Sequence, residues 1–201
     1  MKVIGITGGV GCGKSKVMEY VSSHYNCEVI YADTVAYDLE QPGQACYKPI
    51  VDLFGKSIVN EDGNLNRNEM ARQMFSNNSL LEAVNSIVHP AVWDFIVNRI
   101  EELKKTGVTK YLFLEAALLI ECGYKAIVDE MWYVYVDESI RRERLKKSRG
   151  YSDEKIDQIL ASQLSDDEFR ANVDKILDNS NEIQKTYDQI DKFLSEDFDH
   201  E

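Results

Sequence analysis

The run Gly8-Gly9-Val10-Gly11-Cys12-Gly13-Lys14-Ser15 matches the pattern G-x-x-x-x-G-K-[ST]. A polyphosphate needs many backbone N–H donors around it, and glycine lets a chain curl closely enough to supply them. Within such a loop Lys14 can reach the β- and γ-phosphates of a nucleoside triphosphate, and the Ser15 hydroxyl can ligate Mg²⁺. A helix starting after Gly13 adds the positive end of its dipole. Cys12 reads as a small loop filler rather than a nucleophile. A plain glycine turn is the alternative. The apolar strand before the loop, the Lys-Ser pair and the helix after it argue together for the nucleotide site.

Two carboxylates lie near the expected phosphate end. Asp33 follows the run Glu28–Ala32 (EVIYA), at the C-terminal end of a strand, where a parallel sheet opens its ligand crevice. There it can take the proton of an acceptor hydroxyl, or it can cap a helix starting at Thr34. Glu115 follows Lys110–Leu114 (KYLFL) and can hold Mg²⁺ through water or pair with Lys14. Glu121 reads as a structural acid.

The segment Ile140–Arg149 (IRRERLKKSR) carries six bases and one acid. Arg141, Arg144 and Lys147 recur at three-residue spacing and share a helix face. Such a face can fold over a triphosphate, since the planar guanidinium fork matches phosphate oxygens. A solvated charged face is the bland reading, and for most of these side chains it suffices.

The elements that position these groups read as an α/β fold. Lys2–Thr7, Glu28–Ala32, Lys110–Leu114, Met131–Val136 and Lys175–Leu177 are short apolar runs, two of them near-continuous, as in strands buried on both faces. Helical patterns cover Lys14–Ser23, Asn66–Phe75, Leu80–Val88, Val92–Lys105, Glu138–Lys147, Asp153–Leu164 and Glu182–Leu194. Strand alternating with helix predicts a parallel sheet of about five strands, helices on both faces. The expected organisation is a nucleotide-binding core over 1–33, 91–137 and 173–201, an inserted helical lobe over 34–90, and a helical lid over 138–172.

Composition narrows the partners. Of 201 residues, 23 are Lys or Arg and 35 are Asp or Glu, a formal net charge of −12. The charge is uneven: residues 1–149 hold 20 acids and 18 bases, residues 150–201 hold 15 acids and 5 bases. The mean field repels phosphate polymers and anionic membrane surface, so neither nucleic acid polymers nor membranes are expected partners. A compact cationic site for one or two nucleotides fits inside that acidic bulk. No run approaches the length of a membrane helix by apolar residues alone. Four cysteines without a C-x-x-C pair fit a reducing cytoplasm.

Together these features resemble the dephospho-CoA kinase family of P-loop small-molecule kinases. The resemblance runs from Ile4-Gly5-Ile6-Thr7-Gly8-Gly9 through Ala32-Asp33, Pro42-Gly43, and Asp62-Gly63 with Leu65 and Arg67. It continues through Ile87-Val88-His89-Pro90, Leu118-Leu119-Ile120-Glu121, Arg144-Leu145, Gln163, and Asp178-Asn179. The His-Pro pair and the Leu-Leu-x-Glu segment are its more specific parts. The resemblance implies transfer of the ATP γ-phosphate to the ribose 3′-hydroxyl of dephospho-CoA. It implies Lys14 and Ser15 for phosphate and Mg²⁺, and Asp33 as base. It further implies 34–90 as the CoA-side lobe, Arg67 and His89 as substrate contacts, and 138–172 as the lid. From the residues alone, His89 reads as a buried helix-end histidine and Arg67 as a surface charge.

Three positions depart from the family pattern. Tyr31-Ala32-Asp33 stands where Asp-Ala-Asp is usual, and Ala117 where proline is usual. Ser148 stands where a second lid arginine follows Arg144 by four residues, with Arg149 one residue later. A five-residue offset turns roughly 500° on an α-helix, so Arg149 serves only if the helix breaks there, as Gly150 permits. Another small-molecule kinase of the nucleoside monophosphate type, a switch NTPase and a non-catalytic nucleotide- or CoA-binding protein share the loop.

Overall fold

The computed structural model describes residues 1–196. Its central strand is β1 (Lys2–Thr7), in a sheet ordered β2-β3-β1-β4-β5. The others are β2 (Cys27–Tyr31), β3 (Tyr111–Glu115), β4 (Glu130–Tyr135) and β5 (Lys175–Asp178). β1 runs parallel to β3, with Ile4 opposite Phe113, and to β4, with Ile6 opposite Trp132. Val3, Ile4, Ile6, Leu112, Phe113, Leu114, Met131, Trp132 and Val134 are fully buried. Sequential strands fall on both sides of β1. Its C-terminal end is therefore the switch point at which an open parallel sheet binds ligands.

By compactness the chain divides into residues 1–29 with 107–201, and residues 30–106. In the first unit, α1 (Lys14–His24) follows the glycine loop, and α6 (Glu138–Arg149) follows β4. The helix expected over Asp153–Leu164 is α7 (Asp153–Ala161), and a further helix not expected from the sequence, α8 (Asp166–Asn172), follows it. Ser165 and Glu168 form a reciprocal capping box that starts α8 afresh. Phe169 on α8 is buried and stacks on Tyr133 of β4 at 4.6 Å. The expected lid, 138–172, thus lies inside the first unit. Helix α9 (Ile183–Ser195) buries Ile190 and Leu194, and Tyr187 stacks on Tyr20 of α1 at 3.9 Å. The part of the expected core over 197–201 lies outside the described residues.

The second unit is helical: α2 (Ala32–Leu39), α3 (Tyr47–Phe54), α4 (Arg67–Phe75) and α5 (Asn78–Thr106). The helices expected over Leu80–Val88 and Val92–Lys105 are one continuous α5 with Pro90 inside it. An interior proline costs about 3 kcal/mol or more. The buried stripe Val84, Val88, Val92, Ile96, Ile100 keeps a four-residue spacing straight through it. Each such residue contributes roughly 1.5–3 kcal/mol on burial, so packing outweighs the break. The unit therefore extends to Thr106 rather than ending at Pro90. By length and composition α5 would also suit a bilayer crossing, which corrects the expectation that no segment does. Here it packs against α2, α3 and α4.

Candidate active site

The phosphate loop connects β1 to α1 and takes its shape from glycines in conformations closed to other residues. Gly11 and Gly13 have φ of 86° and 94°. Crowding adds a second requirement. A Cβ on Gly8 would stand 2.7 Å from the carbonyl oxygen of Val134, and one on Gly11 would stand 2.9 Å from the Leu145 side chain. At Gly9 it would run into the Arg141 guanidinium, and at Gly13 into the Asn179 amide. The loop is thus lined on its outer side by β4, α6 and the turn after β5.

Lys14, at the first position of α1, donates from Nζ to the carbonyl of Gly8 at 2.8 Å. The same ammonium lies 3.4 Å from Glu115 Oε1 at the end of β3. The pair is partly shielded, at 13% and 15% side-chain exposure, so solvent screens it less than a surface pair. Of the two sequence readings of Glu115, the pairing with Lys14 is present in the structure. Ser15 is exposed in the first turn of α1. Cys12 is buried, and that burial pushes its thiol above the usual range, in keeping with a packing role.

Asn179 holds the loop from behind. Its Nδ2 donates to the Cys12 carbonyl at 2.8 Å, and its Oδ1 accepts from the Thr186 hydroxyl at 2.9 Å. Its own carbonyl accepts from Arg144 Nη2 at 2.8 Å. Arg144 thereby joins Gly11, Gly13, Lys16, Asn179 and Tyr187 around a cleft of about 420 Å³ beside the loop. The site residues that sequence reasoning undervalued are Asn179, Gln163 and Arg141. The sequence marked Arg141 as part of a basic face and Gln163 and Asn179 as part of the resemblance, but their bonds to the loop are visible only in the structure.

Helix α6 rests on the loop through Leu145, which is fully buried. Arg141 and Arg144 share that face, whereas Arg142 bonds Glu138 and Asp157, and Lys146 bonds Asp153. Those two, as the bland reading has it, form a charged outer face. Arg149 is in the last turn, before Gly150 caps the helix with φ of 64°. The break therefore comes one residue too late to redirect it. Its side chain is exposed and lies against Tyr151, 5.9 Å from the ring centroid. Ser148 turns back and donates to the Arg144 carbonyl at 2.7 Å. The structure does not bring Arg149 to the loop.

In the helical unit, α2 begins at Ala32 with Tyr31 as its cap residue, so Asp33 is not the N-cap. Its carboxylate is exposed in the first turn, where the helix dipole favours negative charge. Arg67 is more organised than a surface charge: it donates to Glu40 at 2.6 Å and lies over the Tyr37 ring at 4.4 Å. Burial raises the Glu40 carboxyl above its usual range, and Arg67 opposes that rise. His89 is exposed within α5 rather than buried at a helix end.

Residues 2–185 match the family model described as dephospho-CoA kinase. The chain belongs to the dephospho-CoA kinase family. A dephospho-CoA kinase from Carboxydothermus hydrogenoformans is 36% identical over 191 residues, covering 94% of this chain and 91% of that protein. A Thermus thermophilus crystal structure superposes with a TM-score of 0.80 at 26% identity, covering 97% of each chain. A dephospho-CoA kinase from Campylobacter jejuni has the same fold, with a TM-score of 0.73 at 21% identity over 98% of this chain and all of that one. For a dephospho-CoA kinase family member, the strand–glycine loop–helix geometry is that of an ATP-using kinase.

Proposed function

We infer that this chain transfers the γ-phosphoryl group of ATP to the ribose 3′-hydroxyl of dephospho-CoA, giving coenzyme A and ADP. The observation that carries this reading is the family match along nearly the whole chain, joined to a loop whose lysine is already drawn to its first glycine carbonyl. In the reaction the 3′-oxygen bonds to the γ-phosphorus while the bond from that phosphorus to the β–γ bridging oxygen breaks. ADP leaves, and the hydroxyl proton passes to Asp33. The backbone N–H groups of Gly8–Ser15 and the Lys14 ammonium offset the charge on the phosphates. The cleft beside Arg144 and Asn179 suits the nucleoside part of ATP.

Ser15 would hold Mg²⁺ directly and Glu115 through water. The described residues contain no cluster of three or more His, Cys, Asp or Glu that could hold a metal. That fits Mg²⁺, which takes most of its ligands from phosphates and water. When bound, the cation adds positive charge along the transferring phosphate. Arg67 and His89 serve the CoA side, and helices α6 to α8 act as the lid that excludes water. Cys12, Cys27, Cys46 and Cys122 form no disulfide with one another, which supports a cytoplasmic setting. The acidic surface argues against nucleic acid polymers and membranes as partners.

The test is an acceptor screen. With ATP and Mg²⁺, mass spectrometry of the products from dephospho-CoA should show one added phosphate, and AMP should remain unchanged. Turnover of AMP but not of dephospho-CoA would overturn the reading.

A further inference from the structure

We propose that Arg141 supplies the second guanidinium to the transferring γ-phosphoryl group, in place of the arginine missing at Ser148, with Gln163 as its positioning residue. This rests on the kinase reading above and deepens it. Ser148 would follow Arg144 by one helical turn; Arg141 precedes Arg144 by three residues and so lies on nearly the same face. That face is the one Leu145 seats on Gly11.

The guanidinium is held against the loop, not merely near it. Arg141 Nε donates to the Val10 carbonyl at 2.6 Å, and Nη2 donates to Gln163 Oε1. The same Gln163 oxygen accepts the Val10 N–H at 3.3 Å, so one side chain registers loop and guanidinium together. Gln163 is free to do this because α7 ends at Ala161. Nε and one Nη2 hydrogen are committed, which leaves both Nη1 hydrogens and the other Nη2 hydrogen for an anion. Gly9 is a glycine for the same reason: a Cβ there would occupy the guanidinium's place.

Charge completes the argument. Arg141 is half-buried, and burial lowers its pKa; among the described residues no ion pair joins it to a carboxylate, and Glu138 acts on it only as a nearby charge. Its neighbour Arg142 has Glu138, Asp153 and Asp157. A half-buried, unpaired guanidinium on a polyphosphate-binding loop is compensated when a phosphate arrives, and its planar fork suits the phosphate oxygens.

The decisive comparison is affinity for a non-hydrolysable ATP analogue against affinity for ADP, in Arg141→Ala, Arg141→Lys and Arg149→Ala. The expected result for Arg141→Ala is about 10-fold weaker binding of the analogue with ADP within about 3-fold, and kcat down by about 100-fold. Arg141→Lys should fall between, and Arg149→Ala should lose less than either. Adding Gln163→Ala to Arg141→Ala should cost little more, since Gln163 acts through Arg141. Equal weakening of ADP and the analogue in both Arg141 variants would mean a scaffold role only, and overturn the proposal. So would a larger loss from Arg149→Ala. Because the binding arm involves no acceptor, it stands or falls separately from the choice of dephospho-CoA as substrate.

Discussion

Gly8, Gly9, Gly11 and Gly13 of the phosphate loop each face a packed group, whereas Gly43, Gly55 and Gly63 in the helical unit face open space, as do Gly107, Gly123 and Gly150 elsewhere in the first unit. The same contrast holds for the functional side chains. Lys14 bonds back to Gly8 within the loop, Arg141 and Asn179 reach the loop from segments far along the chain, and Arg144 is held to Asn179. In the helical unit, Asp33 and His89 stand exposed on helices, and Arg67 is braced by Glu40 and Tyr37. The lesson is a division of labour. Backbone donors bind phosphate well only when their geometry is set beforehand, so the nucleotide half is built before its ligand arrives. If the helical unit takes the acceptor, as proposed, its exposed groups remain accessible to a large substrate.

Several substitutions can break this contrast. The largest effect belongs to Lys14→Met, which removes the one side-chain cation inside the motif; kcat should fall by about 100- to 1,000-fold in a steady-state assay. A fall under about 10-fold would show that the backbone loop alone carries the charge. Asn179→Ala comes next. It leaves the buried Cys12 carbonyl without its side-chain donor, while the Thr186 hydroxyl keeps the Asp178 carbonyl as acceptor, at a cost of about 1–3 kcal/mol for the carbonyl left unsatisfied. Urea unfolding should read that loss together with weaker ATP binding; unchanged ATP affinity would separate the asparagine from the site. Arg67→Ala should raise KM for dephospho-CoA by about 10-fold with ATP KM unchanged, the scale of one charged hydrogen bond. A rise in ATP KM would put Arg67 on the wrong half. The smallest effect is expected from Arg142→Ala, whose ion pairs are with exposed carboxylates. Turnover should stay within 2-fold and stability within about 1 kcal/mol.

The strands were legible in the sequence to about one residue, because runs such as Lys110–Leu114 and Met131–Val136 are nearly continuously apolar. The loop was legible because its glycines are dictated by backbone geometry. The break expected at Pro90 was not there, since a stripe of buried valines and isoleucines overrode a local signal. Ser165 and Glu168 did spell a capping box, but the seven-residue helix it starts has too few apolar positions to show a period. Asp33 was readable as a carboxylate at the crevice, and its capping role could be removed only by seeing α2 begin at Ala32. Arg141 was visible as part of a basic face, yet its bonds to Val10 and Gln163 depend on tertiary approach, which no local pattern encodes.

The most direct measurement is of Asp33→Asn, with nucleotide affinity and turnover read on the same preparation. If the nucleotide half is complete without the acceptor half and Asp33 takes the hydroxyl proton, the variant binds ATP within about 2-fold of the parent while kcat on dephospho-CoA falls by at least ~100-fold. Near-normal turnover, or a loss of ATP affinity as large as the loss of rate, would contradict that division.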